Sequence, residues 1–302
     1  MMLISLVAQV QCNNIYNIQY YRDQNQNSLC KDSANVTITG IVFTPVGITG
    51  TRNFFIYENP YGPWRGILVY SSSSVNFPNL NPGDSVVLIV DSIKEYFGNT
   101  ELLIKNNNNI YTVGSSKPLP TPNLITGAHL DTTANSQFPV DSAEAYEGTL
   151  VRIENALIIG LDSTNFGNWK VAKCDDGTGF FYFRYGHTGF NFIPQIGQKI
   201  NIQGVVYTRY GQYLIVPRND NDVEIVANIS ERVSDIEFKL KGDKIVFKVP
   251  SDKHFKVSIY NSYGNKIAEK LVTHRDNEVH IRLNKGIYVM KVGKISYKLV
   301  IN

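Results

Sequence analysis

Residues 81–104 read NPGDSVVLIVDSIKEYFGNTELLI, and residues 196–217 read IGQKINIQGVVYTRYGQYLIVP. In each, a glycine (Gly83, Gly197) opens a strand of alternating apolar residues that runs to a tight turn and returns as a second strand. The turns correspond, Tyr96-Phe97-Gly98-Asn99 in the first stretch and Tyr210-Gly211-Gln212 in the second, with one residue of length difference.

The repetition extends outward. VTITGIVF (36–43) and NFFIYENPYGPWRGILVY (53–70) precede the first stretch; GTLVRIENALII (148–159) and NWKVAKCDDGTGFFYFR (168–184) precede the second. Period-2 runs such as Val36, Ile38, Ile41, Phe43 and Ile200, Ile202, Val205, Tyr207 indicate half-buried antiparallel strands. Each half offers about five strands in roughly a hundred residues, the size of a small Greek-key barrel. Helical periodicity is confined to 141–147.

IYNIQYY, VTITGIVF, FFIYENPYGPWRGILVY and NPGDSVVLIVDSIKEYFGNTEL resemble bacterial OB-fold domains of secreted, often nuclease-associated proteins, in which IQ, V-x-G-x-V, G-I-x-V and G-D-x-V…E-Y-x-G-x-T-E-L recur. Residues 148–225 look like a second copy with weaker motifs, ending in VPRNDNDVEI. The resemblance spans about 15–226 and implies fold; OB barrels take nucleic acids, saccharides or proteins, so it names no ligand.

Beyond the second copy, VSIYNSYGNKIAEKLV, EVHIRL, GIYVMKVG and ISYKLVIN form four strand patterns separated by turn residues. Tyr260, Gly264, Gly286, Tyr288 and the Lys298-bearing last strand carry a pattern that resembles the type A C-terminal sorting domain of type IX secretion. The usual PNP at its entrance is replaced by Lys248-Val249-Pro250. The resemblance implies the type IX machinery as a partner, and a gram-negative protein that is secreted or attached to the outer-membrane surface. The apolar run from Met2 to Val10 reads as the remnant of an export signal, although it lacks a basic n-region; a frayed first strand is the alternative. No apolar stretch reaches the roughly 18 residues of a membrane-spanning helix.

The expected fold class is therefore all-β: two OB-like Greek-key barrels followed by a C-terminal Ig-like β-sandwich. The expected segments are the signal remnant 1–12, a first barrel 13–117, a Pro-rich linker 118–125, a second barrel 126–228 and the sorting domain 234–302. The linker is announced by SSKPLPTP (115–122), whose three prolines favour extended backbone. Three cysteines without Cys-x-x-Cys spacing exclude a zinc site of that type and leave a Cys12–Cys30 bridge open in an oxidising compartment.

Charge limits the ligand. Residues 13–125 carry seven Lys or Arg against seven Asp or Glu, residues 126–228 seven against eleven, and residues 229–302 fifteen against eight. The basic excess thus sits in the sorting domain, whereas a phosphate-tracking groove needs clustered cations. Aromatic residues are plentiful on the strands: Tyr57, Trp64 and Tyr70 in the first copy, and Trp169, Tyr182, Arg184, Tyr185, Tyr207, Arg209, Tyr210 and Tyr213 as the candidate ligand-binding set in the second. Sugars or bases stack on such faces, and aromatics also serve simply as strand residues packed in a core. Arg184, Tyr185, Arg209 and Tyr210 form the preferred patch.

Catalysis and cofactors find no support in motifs. The five histidines (129, 187, 254, 274, 280) lack metal-ligand spacing, and no nucleophile elbow or P-loop occurs. Asp175-Asp176-Gly177 and the Asp220, Asp222, Glu224 group read as turns before calcium sites. The expectation is a non-enzymatic binding module for an extracellular oligosaccharide or protein. The alternative is a single-stranded nucleic acid binder or an accessory to a secreted nuclease.

Overall fold

The computed structural model describes residues 10–71, 75–132, 140–162, 166–228, 237–241, 244–250, 253–281, 284–293 and 295–301. Residues 1–9 of the expected signal remnant 1–12, and residues 229–234 of the expected boundary 228–234, lie outside the described residues. The chain divides into two compact units, one of residues 1–156, 161–194 and 200–224, the other of residues 157–160, 195–199 and 225–302.

The first unit opens with α1 (Ile15–Tyr20), capped by the Asn14 side chain on the Asn17 amide, with Ile15 and Ile18 buried. A Cys12–Cys30 disulfide ties its entrance to the following loop. The first sheet contains β1 (Val36–Val42), β2 (Asn53–Tyr57), β3 (Gly66–Ser71), β4 (Ser85–Val90), β5 (Ser92–Tyr96), β6 (Asn99–Ile104) and β7 (Ile110–Gly114), in the order β5-β6-β3-β2-β1-β4-β7. Only Asp91 separates β4 from β5. The pair therefore acts as one bent strand, antiparallel to β1 at one end and to β6 at the other, while β6 runs parallel to β3. That closes the five-stranded Greek-key ring of an OB-like barrel.

The second sheet repeats the ring with β8 (Asn123–Leu124), β9 (Leu150–Asp162), β10 (Lys170–Asp175), β11 (Phe180–Tyr185), β12 (Gln198–Arg209), β13 (Gln212–Val216) and β14 (Val223–Asn228). Its order is β14-β12-β13-β11-β10-β9-β8, closed by β12–β9, with β13 parallel to β11 as β6 is to β3. The single long β12 replaces the bent β4–β5 pair. Helix α2 (Val140–Glu144) overlaps the stretch 141–147 expected to be helical, starting one residue before it and ending three residues short of its end. Asn123 and Leu124, inside the expected linker, pair with Val151 and Arg152 as β8.

Two apolar layers explain the burial. β2 is buried along its whole length because Phe54 and Ile56 face the interior of the first barrel while Phe55 and Tyr57 face the second. Phe43, Ile48, Phe55, Tyr57 and Leu68 pack against Leu150, Trp169, Val171, Val205, Tyr207, Leu214 and Val216 in one core shared by the barrels. Backbones meet at its edge: a Cβ on Gly66 would stand 2.1 Å from the Gly148 carbonyl oxygen, so neither position has room for a side chain.

The second unit is a sandwich of a three-stranded sheet, β15 (Glu237–Lys241), β16 (Lys244–Lys248) and β19 (Glu278–His280), and a four-stranded sheet, β17 (His254–Asn261), β18 (Lys266–Thr273), β20 (Gly286–Val292) and β21 (Ile295–Ile301). Phe247, Phe255, Val257, Ile259, Val272, Met290 and Val292 fill it. The molecule is all-β, with two OB-like barrels followed by an Ig-like sandwich, as the sequence led us to expect.

Candidate functional site

The equivalent hairpins β5–β6 and β12–β13 end in two-residue turns, Phe97-Gly98 between paired Tyr96 and Asn99, and Tyr210-Gly211 between paired Arg209 and Gln212. Both residues of each turn have positive φ, 52° and 85° in the first, 52° and 72° in the second. That is the signature of a type I′ hairpin, whose first position favours Asn, Asp or Gly because a bulky side chain strains in the left-handed region. This chain places an aromatic residue there twice.

The two tips meet. A Cβ on Gly98 would lie 4.0 Å from the Gly211 amide nitrogen. The Tyr96 and Phe97 rings are 4.5 Å apart and the Phe97 and Tyr210 rings 4.6 Å apart, yet Tyr96, Phe97 and Tyr210 remain 52%, 49% and 48% exposed. A strip of three half-exposed rings thus crosses from one barrel to the other, presenting apolar faces to solvent at a backbone cost.

The strip continues into two arginines. The Arg209 guanidinium lies 5.0 Å from the Tyr210 ring and 4.4 Å from the Trp169 ring, and Arg184 lies 3.9 Å from the same indole. Each is held by one backbone acceptor: Arg184 donates to Ile48 O at 3.1 Å, and Arg209 Nε donates to Phe166 O at 3.1 Å. Among the described residues neither has an ion-pair partner. Burial, together with the Arg209 charge, lowers the Arg184 pKa to about 10. The two guanidiniums thus share the Trp169 indole as a cation–π partner and lie within reach of one another's charge.

Other members of the expected set have structural places. Trp169 and Tyr207 belong to the shared core, their rings 5.3 Å apart, and Tyr182 packs on Phe166 at its margin. Tyr213 is buried and donates its hydroxyl to Glu144 at 2.6 Å. Tyr185 ends β11 opposite Lys170 and is half-buried. In the first barrel Tyr57 is core, Tyr70 is 38% exposed on β3, and Trp64 edges onto Tyr20. Arg65 lies over Tyr16 but is neutralised by Glu58, which also accepts the Ile15 and Tyr16 amides. His187 stacks on Phe190, and burial beside Arg184 pushes its pKa down to about 4, so it is neutral.

A second polar group lies inside the unit. Arg22 pairs with Glu144 at 3.0 Å and reaches Glu147, whose carboxylate accepts the Thr100 amide at 2.9 Å and the Thr208 hydroxyl. Burial, reinforced by Glu144, raises the Glu147 pKa, and burial beside Glu95 raises that of Glu101 to about 7. Perturbed carboxylates often mark active sites. Here Glu147 is 1% exposed and its oxygens are engaged by residues of both barrels, so the group stitches the barrels together.

The acidic turns are satisfied locally. Asp176 accepts the Gly127 and Thr178 amides and the Thr178 hydroxyl; Asp220 accepts the Asn191 and Phe192 amides; Asp222 pairs with Arg218 and Glu224 with Arg152. Among the described residues no group of His, Cys, Asp and Glu is arranged to hold a metal.

In the second unit, Tyr260 lies in β17 beneath Lys291, Gly264 takes the left-handed turn before β18, and Gly286 opens β20. The Tyr288 hydroxyl donates to Asn284 O at 3.0 Å, and the Lys298 backbone pairs with Val289. The Lys298 side chain lies outside what the structure describes.

A family model described as "Secretion system C-terminal sorting domain" matches residues 241–302. This segment therefore makes the protein a secreted or surface-attached one, in line with the sequence resemblance. No curated protein matches the chain. Among solved structures, similarity is found to the tetrameric p202 HIN2 (TM-score 0.29, 12% identity, covering 65% of this chain and 97% of that one). It is also found to the p204 HINb domain (0.28, 13%, 61% and 92%) and to the Ifi202 HINa domain in complex with 20bp dsDNA (0.25, 10%, 64% and 95%).

Proposed function

We propose that this is a non-enzymatic extracellular binding protein whose two barrels form one oligosaccharide-binding unit, with Tyr96, Phe97 and Tyr210 as its stacking strip. The observation that carries the reading is the double breach of turn chemistry. Aromatics occupy the left-handed position of both equivalent hairpins and meet across the barrels while half exposed. Local rules are broken in this way where a site needs it. Flat apolar rings suit the faces of sugar rings and are the usual anchors of a protein ligand as well. The charge balance favours a saccharide: residues 13–125 are neutral and residues 126–228 carry four excess acids, so counterion release has little to work with.

Arg184 and Arg209 beside the strip favour the second reading, single-stranded nucleic acid, in which bases stack and phosphates meet the arginines. Anisotropy titrations of the full chain with labelled oligosaccharides and with oligo(dT) at low and physiological salt separate the two. Saccharide binding that barely responds to salt is expected; tight oligo(dT) binding that weakens steeply with salt would replace our reading with the second one.

A further inference from the structure

Resting on the saccharide reading, we infer that Arg184 and Arg209 form an anion subsite beside the stacking strip, which selects an oligosaccharide bearing a carboxylate or sulfate on a ring neighbouring the stacked one.

Three features converge on this assignment. First, of the barrels' arginines, Arg22, Arg65, Arg152 and Arg218 are each paired with a carboxylate, whereas Arg52, Arg184 and Arg209 have no such partner among the described residues, and of these three Arg184 and Arg209 adjoin the strip. Second, each guanidinium is positioned rather than loose. The Trp169 indole lies 3.9 Å from Arg184 and 4.4 Å from Arg209, and one backbone carbonyl fixes each, Ile48 O and Phe166 O. An arginine has five N–H donors, and these bonds occupy one on each side chain, leaving the rest for planar, bidentate recognition of an oxyanion. Third, Arg209 touches both Trp169 and Tyr210, so the subsite adjoins the strip without a gap.

Both charges are partly buried over one indole, and the Arg209 charge acts unfavourably on Arg184, so a nearby oxyanion would lower the cost. An anionic sugar does so while its neighbouring ring stacks on Tyr210. Carboxylate and sulfate share the oxyanion chemistry that the arginines read, and the experiment separates them. With two arginines, the site suits one anionic group per binding event rather than a charged backbone.

The test titrates the full chain by calorimetry with oligogalacturonate and its methyl ester, and with a sulfated galactan oligosaccharide and its desulfated form. One charged form should bind about tenfold or more tighter than its neutral counterpart, and the pair showing the difference identifies the anion. Arg184→Gln and Arg209→Gln should each remove that preference, read as the ratio of charged to neutral affinity measured on the same variant. Should Arg184→Gln lower the melting temperature, Arg209→Gln alone decides. Equal binding of charged and neutral forms, or a preference that survives both substitutions, overturns the anion subsite while leaving the stacking strip standing. Binding of none of the four overturns both, and arginine-dependent binding of oligo(dT) alone replaces the saccharide with a nucleic acid.

Discussion

The Phe97 ring, at the hairpin tip of the first barrel, lies 4.6 Å from the Tyr210 ring at the equivalent tip of the second, and both residues have φ of 52°. The contact joins two strained turns that would be cheaper with asparagine, which points to the rings, not the turns, as what the molecule needs.

Replacing the rings with the residue the turn prefers should therefore separate stability from binding. Phe97→Asn and Tyr210→Asn are expected to leave stability unchanged or raise it by up to about 1 kcal/mol each, because Asn accepts the left-handed region. Ligand affinity should drop about tenfold or more per ring. Thermal melting and a binding titration on the same preparations check both halves.

The shared core depends on the glycine contact at its edge. Gly148→Ala adds a Cβ 2.6 Å from the Gly66 carbonyl at a φ of +71°, and should cost more than about 2 kcal/mol. Gly177 has a φ of +90° but open space around it, so Gly177→Ala should cost only about 1 kcal/mol. Chemical denaturation of the pair tests whether close approach, rather than backbone conformation alone, sets the penalty.

The carboxylates between the barrels predict a pH dependence. Glu101 and Glu147 have raised pKa values in the folded chain, that of Glu101 to about 7, so both hold protons that the unfolded chain has already released. Their contribution to stability is full below the ordinary carboxylate range and is lost as pH rises through neutrality. Glu147→Gln, which retains an acceptor for the Thr100 amide, should flatten the fall in melting temperature between pH 5 and pH 8; an unchanged slope would show that Glu147 is ionised throughout.

The Cys12–Cys30 bridge closes a separation of 18 residues around α1. Reduction, or the double Cys→Ser variant, should destabilise the barrels by about 3 kcal/mol. Denaturant midpoints with and without reductant measure it.

Much of the fold was legible because strands advertise themselves. Alternation from Val36 to Phe43 and from Ile200 to Tyr207, and the glycines opening each long strand, gave the repeat and its class. What the sequence hid was the packing of one barrel on the other. FFIY in β2 has no alternation because both faces are buried, and only the structure tells which partner covers Phe55 and Tyr57. The same packing draws Trp169, Tyr207 and Tyr213 from the expected binding set into the interior. Of the preferred patch Arg184, Tyr185, Arg209 and Tyr210, the structure gathers Arg184, Arg209 and Tyr210 beside Trp169 and the paired hairpin tips, whereas Tyr96 and Phe97 were read only as a turn. Their signal was present as an aromatic-Gly pair where Asn-Gly belongs, repeated at Tyr210-Gly211, although nothing in the sequence says that the two tips touch. Helix α1, with six residues, is too short to carry a periodic signal.

The most direct measurement is a glycan-array screen of the full chain beside its Phe97→Asn/Tyr210→Asn double variant, with circular dichroism confirming that both are folded. If the paired tips are the binding strip, the wild type will retain a defined set of oligosaccharides and the folded double variant will lose it. Retention of the same set by the double variant would place binding elsewhere on the molecule and contradict the role given to the strip.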